Sequence, residues 1–352
     1  MTQQLQAQSK SSSSILPLVL TAGAFAATGL GLALIAWSRT QVIHDVPLTR
    51  ALGGDLIHFT GRRSGELAYY AAGPTKRGVP PLVLIHSINA AASSNEMRPL
   101  FEYYARTRRV IALDLPGYGF SDRSDRAYLP SLMRDAILDL IEQELTSEAV
   151  DIVGLSLSAE YVALAAQAQP SFFRTLTFLT PTGFSERNAR LQPNDGLLSA
   201  VRMPLWARPI FDLLTSRPSM QYFLSTNQRT PVRRETVDYA YATSHQPNAE
   251  IAPFHFLTFK LFTPTIFEVY RQLQQPCLLI YGQDPFTSFE YAQELQGKPN
   301  WRIVPMSNAG TQVHQDDLRG TVKEIDALIG ETRAKSKESR VKITSRVMTH
   351  DS

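Results

Sequence analysis

Six short apolar runs constrain the fold of this chain more than any other feature. They are Pro81-Leu82-Val83-Leu84-Ile85, Arg109-Val110-Ile111-Ala112-Leu113, residues 149–153, Leu176-Thr177-Phe178-Leu179, Cys277-Leu278-Leu279-Ile280-Tyr281 and Trp301-Arg302-Ile303-Val304. Continuous runs of this length suit strands covered on both faces of a parallel sheet. Between them lie helix-compatible stretches: residues 94–105, residues 131–145 with Leu132, Ala136, Leu140 and Leu145 on one face, and residues 159–169, which stop before Pro170. Two alternating segments at residues 55–70, split by Gly61 and Gly65, predict an antiparallel edge hairpin. The alternation predicts an α/β fold: a mostly parallel, eight-stranded type of sheet with helices on both faces.

Ligands of such sheets bind beyond the carboxyl ends of the strands. The segments beginning at His86, Asp114, Ser156, Asp284 and His314 therefore fall along one edge. The alternation breaks over residues 185–274, a Pro-rich, aromatic, helix-compatible stretch that reads as a helical cap over that edge. The expected organisation is a core at 50–184 and 275–330, interrupted by the cap. Trp206, Phe211, Tyr222, Phe223, Phe254 and Phe262 lie in the cap and either form its own small core or present an apolar lid to a substrate.

A serine hydroxyl needs a neighbouring base to act as a nucleophile, and it needs exposure. A sharp strand-to-helix turn provides the exposure, provided that the residues two before and two after the serine are small. Gly154 and Ser158 hold those positions around Ser156, after a buried strand and before an Ala-rich helix. Here the chain resembles the α/β-hydrolase fold family over roughly residues 55–325, with Ser158 in place of the usual second glycine. Asp114-Leu115-Pro116-Gly117-Tyr118-Gly119-Phe120-Ser121 is a further signature of that family, read as a tight turn after a strand.

The resemblance implies a nucleophile, acid and base in that chain order, which assigns Ser156, Asp284 and His314. His314 would take the Ser156 proton, and Asp284 would orient the imidazole and stabilise its cation. The family also implies an oxyanion hole made by the backbone N–H groups of Leu157 and Ile88, with His86 bracing the loop. This loop carries His-Ser where the family usually has His-Gly. Ser87 and Asn89 are expected to line the pocket. The implied activity is hydrolysis of a carboxylic ester, apolar in character, through an acyl-enzyme. Acyl transfer, cofactor-free perhydrolysis and carbon–carbon bond hydrolysis would use the same three residues. A non-catalytic binding module on the same fold is the reading outside enzymes.

The ends of the chain differ from the middle. Residues 1–14 are Gln- and Ser-rich, whereas residues 15–37 contain no charge and would span a bilayer as a transmembrane helix. Gly23, Ala27 and Gly31 recur every fourth residue there and offer a helix-packing face. Charges flanking the run do not fix its orientation, and export followed by signal cleavage is the competing reading. Residues 331–352 form a polar, basic tail. The net charge of +3 comes without a basic stripe interleaved with aromatics, so no nucleic-acid partner is expected; the partners are a small ester, lipid-like in character, and the membrane. Cys277 is the only cysteine, and no histidine pair has zinc-protease spacing, so neither a metal nor a cofactor is expected.

Overall fold

The computed structural model describes residues 29–145, 149–285 and 288–348, the last thirteen of these by backbone alone. An eight-stranded sheet runs through the chain. Its strands are β1 (Asp55–Gly61), β2 (Gly65–Ala72), β3 (Leu82–Ile85), β4 (Val110–Asp114), β5 (Val150–Leu155), β6 (Phe173–Leu179), β7 (Cys277–Tyr281) and β8 (Trp301–Pro305), in the order β1-β2-β4-β3-β5-β6-β7-β8. β1 and β2 form the expected hairpin, and β2 pairs antiparallel with β4; all other pairings are parallel. Successive strand residues face opposite sides, so each apolar run feeds two cores at once. Val83, Ile85, Ile111, Leu113 and Leu279 enter one core; Leu82, Leu84, Val110, Ala112, Leu278 and Ile280 enter the other.

The helices follow from the same periodicity. In chain order they are α1 (Gly29–Gln41), α2 (Arg98–Tyr104), α3 (Pro130–Asp139) and α4 (Ser158–Ala168). Between β6 and β7 come α5 (Asp195–Val201), α6 (Ala207–Leu214), α7 (Arg217–Asn227), α8 (Arg234–Ser244), α9 (Ile251–Leu257) and α10 (Ile266–Gln272), and α11 (Leu318–Met348) follows β8. Proline occupies the first turn of α2, α3 and α7, where no intrahelical N–H bond is lost. The helices α5 to α9 pack over the carboxyl edge of the sheet: Phe211 and Phe254 cluster with Ala90, and Met220, Val237 and Ala240 with Ala91, in the loop after β3. α11 docks Val322, Ile325 and Leu328 on the sheet and then continues through most of the basic tail as helix, a course for which its Lys, Glu and Arg content is suited.

Among the described residues no helix is long and apolar enough to cross a membrane. Of the expected span at 15–37, residues 15–28 lie outside the described residues, and 29–37 open α1. α1 lies against α6, and its buried residues are Gly31 and Ser38, seven apart on one face.

Candidate active site

β5 delivers Ser156 to the carboxyl edge. Its residues are wholly buried up to Leu155, the Ser156 N–H is held by the Leu179 carbonyl of β6 at 2.9 Å, and α4 begins two residues later. Ser156 has φ of 54°, a left-handed conformation that side chains rarely adopt and that the flanking strand and helix must impose. A Cβ on Gly154 would stand 2.9 Å from Val162 Cγ2 and 3.1 Å from Ala159 Cα, so glycine is needed where the strand passes beneath the helix. Ser158 fills the second small position; it is fully buried and its hydroxyl has no hydrogen-bond partner.

The loop after β3 faces this turn. His86 is fully buried; its Nδ1 lies 2.6 Å from the Ser87 carbonyl, and its Nε2 receives the Leu115 N–H at 3.0 Å. These partners fix the proton on Nδ1 and join the loop to the turn after β4. Asp114 closes that turn by accepting from the N–H groups of Ser94 and Phe120, a structural use of its carboxylate. Glu96 braces the β3 loop from the side. Its carboxylate accepts the Ser87 N–H at 2.8 Å and the Asn89 amide at 2.7 Å. Ser87 and Asn89, expected to line the pocket, are therefore tied to each other and to Glu96 through their polar groups. The N–H groups of Leu157 and Ile88 make no hydrogen bond among the described residues, and both side chains are buried beneath them.

His314 stands in the short helix Val313–Asp316, after β8, and is fully buried. Its Nε2 lies 2.7 Å from the Glu96 carbonyl, which also receives the Gln315 amide at 2.9 Å, and its Nδ1 has no partner. A carbonyl accepts only, so the proton sits on Nε2. General-base action on Ser156 requires the opposite tautomer, with Nδ1 donating to a carboxylate and Nε2 accepting from the serine. In this structure His314 thus engages the Glu96 carbonyl through Nε2 and leaves Nδ1 without a hydrogen-bond partner. Asp284 lies in the loop after β7, half-buried. The Glu96 carbonyl that holds the imidazole lies 218 residues away in sequence. Burial pushes the His314 pKa down to about 4, against a smaller upward pull from the Glu96 carbonyl, so the ring is neutral near pH 7.

Two acidic groups at this edge escape sequence reasoning. Glu160, one turn beyond Ser156 in α4, is fully buried and accepts from the Thr182 hydroxyl and, at 2.8 Å, the Thr263 N–H. Thr182 lies where the chain leaves β6 for the cap, and Thr263 where it returns towards α10. Burial raises the Glu160 pKa to about 7 despite those bonds. A lone acid inside an Ala-rich helix was its only signal. Asp316, two residues after His314, accepts from the N–H groups of Arg229, Thr230 and Gly310 at 2.7–2.9 Å. Burial opposes its charge, but these donors hold its pKa below the ordinary carboxylate value. They also fasten the cap segment after α7 to the loop that carries His314.

The cap aromatics chiefly pack on one another. The rings of Phe211 and Phe254 meet at 5.9 Å and are buried, and those of Phe256 and Phe262 stack at 5.6 Å, whereas Tyr222 is exposed. No group of residues that could hold a metal occurs among the described residues.

The model of the "Alpha/beta hydrolase family" matches residues 82–320. Abhydrolase domain-containing protein abhd-5.2 of Caenorhabditis elegans is 24% identical over 260 residues, covering 69% of this chain but only 57% of that relative. Similar solved structures include a serine hydrolase involved in carbazole degradation (17% identity, 78% of this chain and 99% of the other, TM-score 0.62). A thermophilic esterase from Thermogutta terrifontis (15%, 80% and 100%, TM-score 0.60) and a haloalkane dehalogenase variant from Bradyrhizobium elkanii (18%, 81% and 99%, TM-score 0.61) share the fold as well. With the strand order, the strained serine turn and a family match covering most of its length, this chain belongs to the alpha/beta hydrolase family.

Proposed function

We propose that the chain hydrolyses an apolar carboxylic ester at Ser156, tethered to a membrane by residues 15–37. The observation that carries this reading is the left-handed Ser156 turn with the unengaged N–H groups of Leu157 and Ile88 beside it. Such donors act where negative charge develops on the carbonyl oxygen, and one of them typically contributes about 3–4 kcal/mol to the transition state. Ser156 Oγ attacks the ester carbon, its proton passes to His314, and the departing alcohol takes that proton as the C–O bond breaks. Water then attacks the acyl-enzyme, with His314 receiving and returning a proton. Asp284 would orient the ring. For this the imidazole must leave the Glu96 carbonyl and exchange its tautomer, so the arrangement described above is the resting one.

A second reading, a membrane-tethered binding module, is favoured by the His314–Glu96 bond, because a serine without a base is not a nucleophile. A fluorophosphonate probe separates the two, since it reacts only with activated serines. Labelling that disappears in Ser156→Ala, together with turnover of p-nitrophenyl esters that rises with acyl length, supports hydrolysis. Folded wild-type protein that neither labels nor turns over those esters rejects it in favour of binding.

A further inference from the structure

α1 is both the continuation of the uncharged run at 15–28 and a part of the globular protein. On one side it is fixed to the cap: the Ser38 hydroxyl donates to Asp212 of α6 at 2.6 Å, and His44 reaches the same carboxylate at 2.7 Å. Asp212 is fully buried and also holds Arg208 at 2.9 Å, so this is a built junction. The other side of α1 is open. Leu30 and Leu32 are 70% and 66% exposed, and just past the helix Ile43 is 67% exposed. In α6, against which α1 lies, Leu213 is 46% exposed, and Met203 and Leu205, just before that helix, are 45% and 47% exposed. These six account for most of the large apolar side chains exposed among the described residues. Large apolar side chains exposed on two elements that lie against each other call for a cover.

We propose that the cover is the bilayer itself, and that the α1–α6 face of the cap rests in the membrane interface. This inference rests on the membrane-tether reading given under Proposed function. The 14 residues 15–28 would reach roughly 21 Å as a helix, short of the ~30 Å hydrocarbon core. About six more residues are needed, which carries the hydrocarbon to the neighbourhood of Leu34. Leu34 and Gly31 belong to the stretch packed on the cap, so the cap cannot stand clear of the lipid. Trp37 and Arg39 follow, residue types that settle at headgroup level. Ser38 between them bonds Asp212, which sets α6 at that same depth. The apolar ester would then reach the carboxyl edge of the sheet from the lipid side.

The test uses the full chain in vesicles of phosphatidylcholine and phosphatidylglycerol. Cys277 is fully buried, so Leu205→Cys and, on the sheet-packed helix α2, Tyr103→Cys each offer one accessible thiol for an environment-sensitive fluorophore. Vesicle flotation reports the tether, and quenching by brominated lipid reports depth. Flotation with loss of most emission at position 205, and none at 103, is the expected result. Flotation with position 205 unquenched overturns the docked cap and leaves the tether intact. Failure to float overturns the tether and the docked cap together.

Discussion

The Ser156 turn and the His314 helix face the same edge of one sheet, yet they are built in opposite ways. The serine turn is made by neighbours in sequence: a buried strand, a glycine that lets α4 pass close, and a left-handed residue between them. The His314 helix takes its orientation from Glu96, a residue on the far side of the nucleophile in the chain, and its imidazole faces a carbonyl. On the proposed reading, the nucleophile turn would be set by local sequence while the base would depend on a distant partner.

The largest expected effects test that contrast directly. Ser156→Ala should lower ester turnover by a factor on the order of 10⁴–10⁶, with little change in Tm. If His314 becomes the base, His314→Ala should lose turnover to a similar extent; if it serves only to hold Glu96, the variant should melt earlier and keep most of its activity. Steady-state kinetics beside thermal melts distinguish these outcomes.

Next comes the pH dependence of stability. Glu160 is folded with its pKa raised from 4.5 to about 7, so the folded state holds a proton that the unfolded state has released. The stability contributed by Glu160 should therefore fall as pH rises from about 4.5 to 7, by on the order of 3 kcal/mol, and stay low above. Glu160→Gln should remove this slope, read by urea melts at pH 5 and 8. His314 has the opposite sign. Its pKa is lowered from 6.5 to about 4, so only the unfolded state takes up the proton in that interval. The stability contributed by His314 should fall as pH drops from 6.5 towards 4, again by roughly 3 kcal/mol, and His314→Gln should reduce the acid limb to the part that buried His245 supplies. An unchanged acid limb in the variant would show that the ring is not held neutral by burial.

The smallest expected effect concerns the cap fastening. Asp316→Ala leaves three backbone N–H groups at a partly open site without their acceptor, which should cost about 1–2 kcal/mol. It should also raise amide exchange at residues 227–230 more than at β5. Equal exchange at both places would mean that the cap segment is held by packing alone.

The same division separates what could be read in the sequence from what could not. The eight strands, the hairpin, the Asp114 turn and the serine turn follow from patterns a few residues long, and all are present. The strand alternation also assigns His314 to the carboxyl edge, but edge position does not determine which way a ring turns. That depends on Glu96, whose carbonyl no pattern marks as an acceptor for this imidazole. Ser87 and Asn89 are a similar case: their residue types suit a pocket, whereas Glu96 two turns of chain away draws their polar groups into the loop. The uncharged run at 15–37 could be recognised by composition alone, yet the docking of its last third on α6 hinges on Asp212, more than 170 residues downstream. Sequence shows local frames well and long-range partners poorly, because a hydrogen bond needs only two atoms, whatever lies between them along the chain.

Glu96 serves two masters. Its side chain accepts the Ser87 N–H in the loop after β3, and its main-chain carbonyl holds the His314 ring. A tilt of the short 94–97 turn would be transmitted to both ends at once, as in a rocker. If both take part in the proposed hydrolysis, the loop after β3 and the imidazole would be coupled through this one residue.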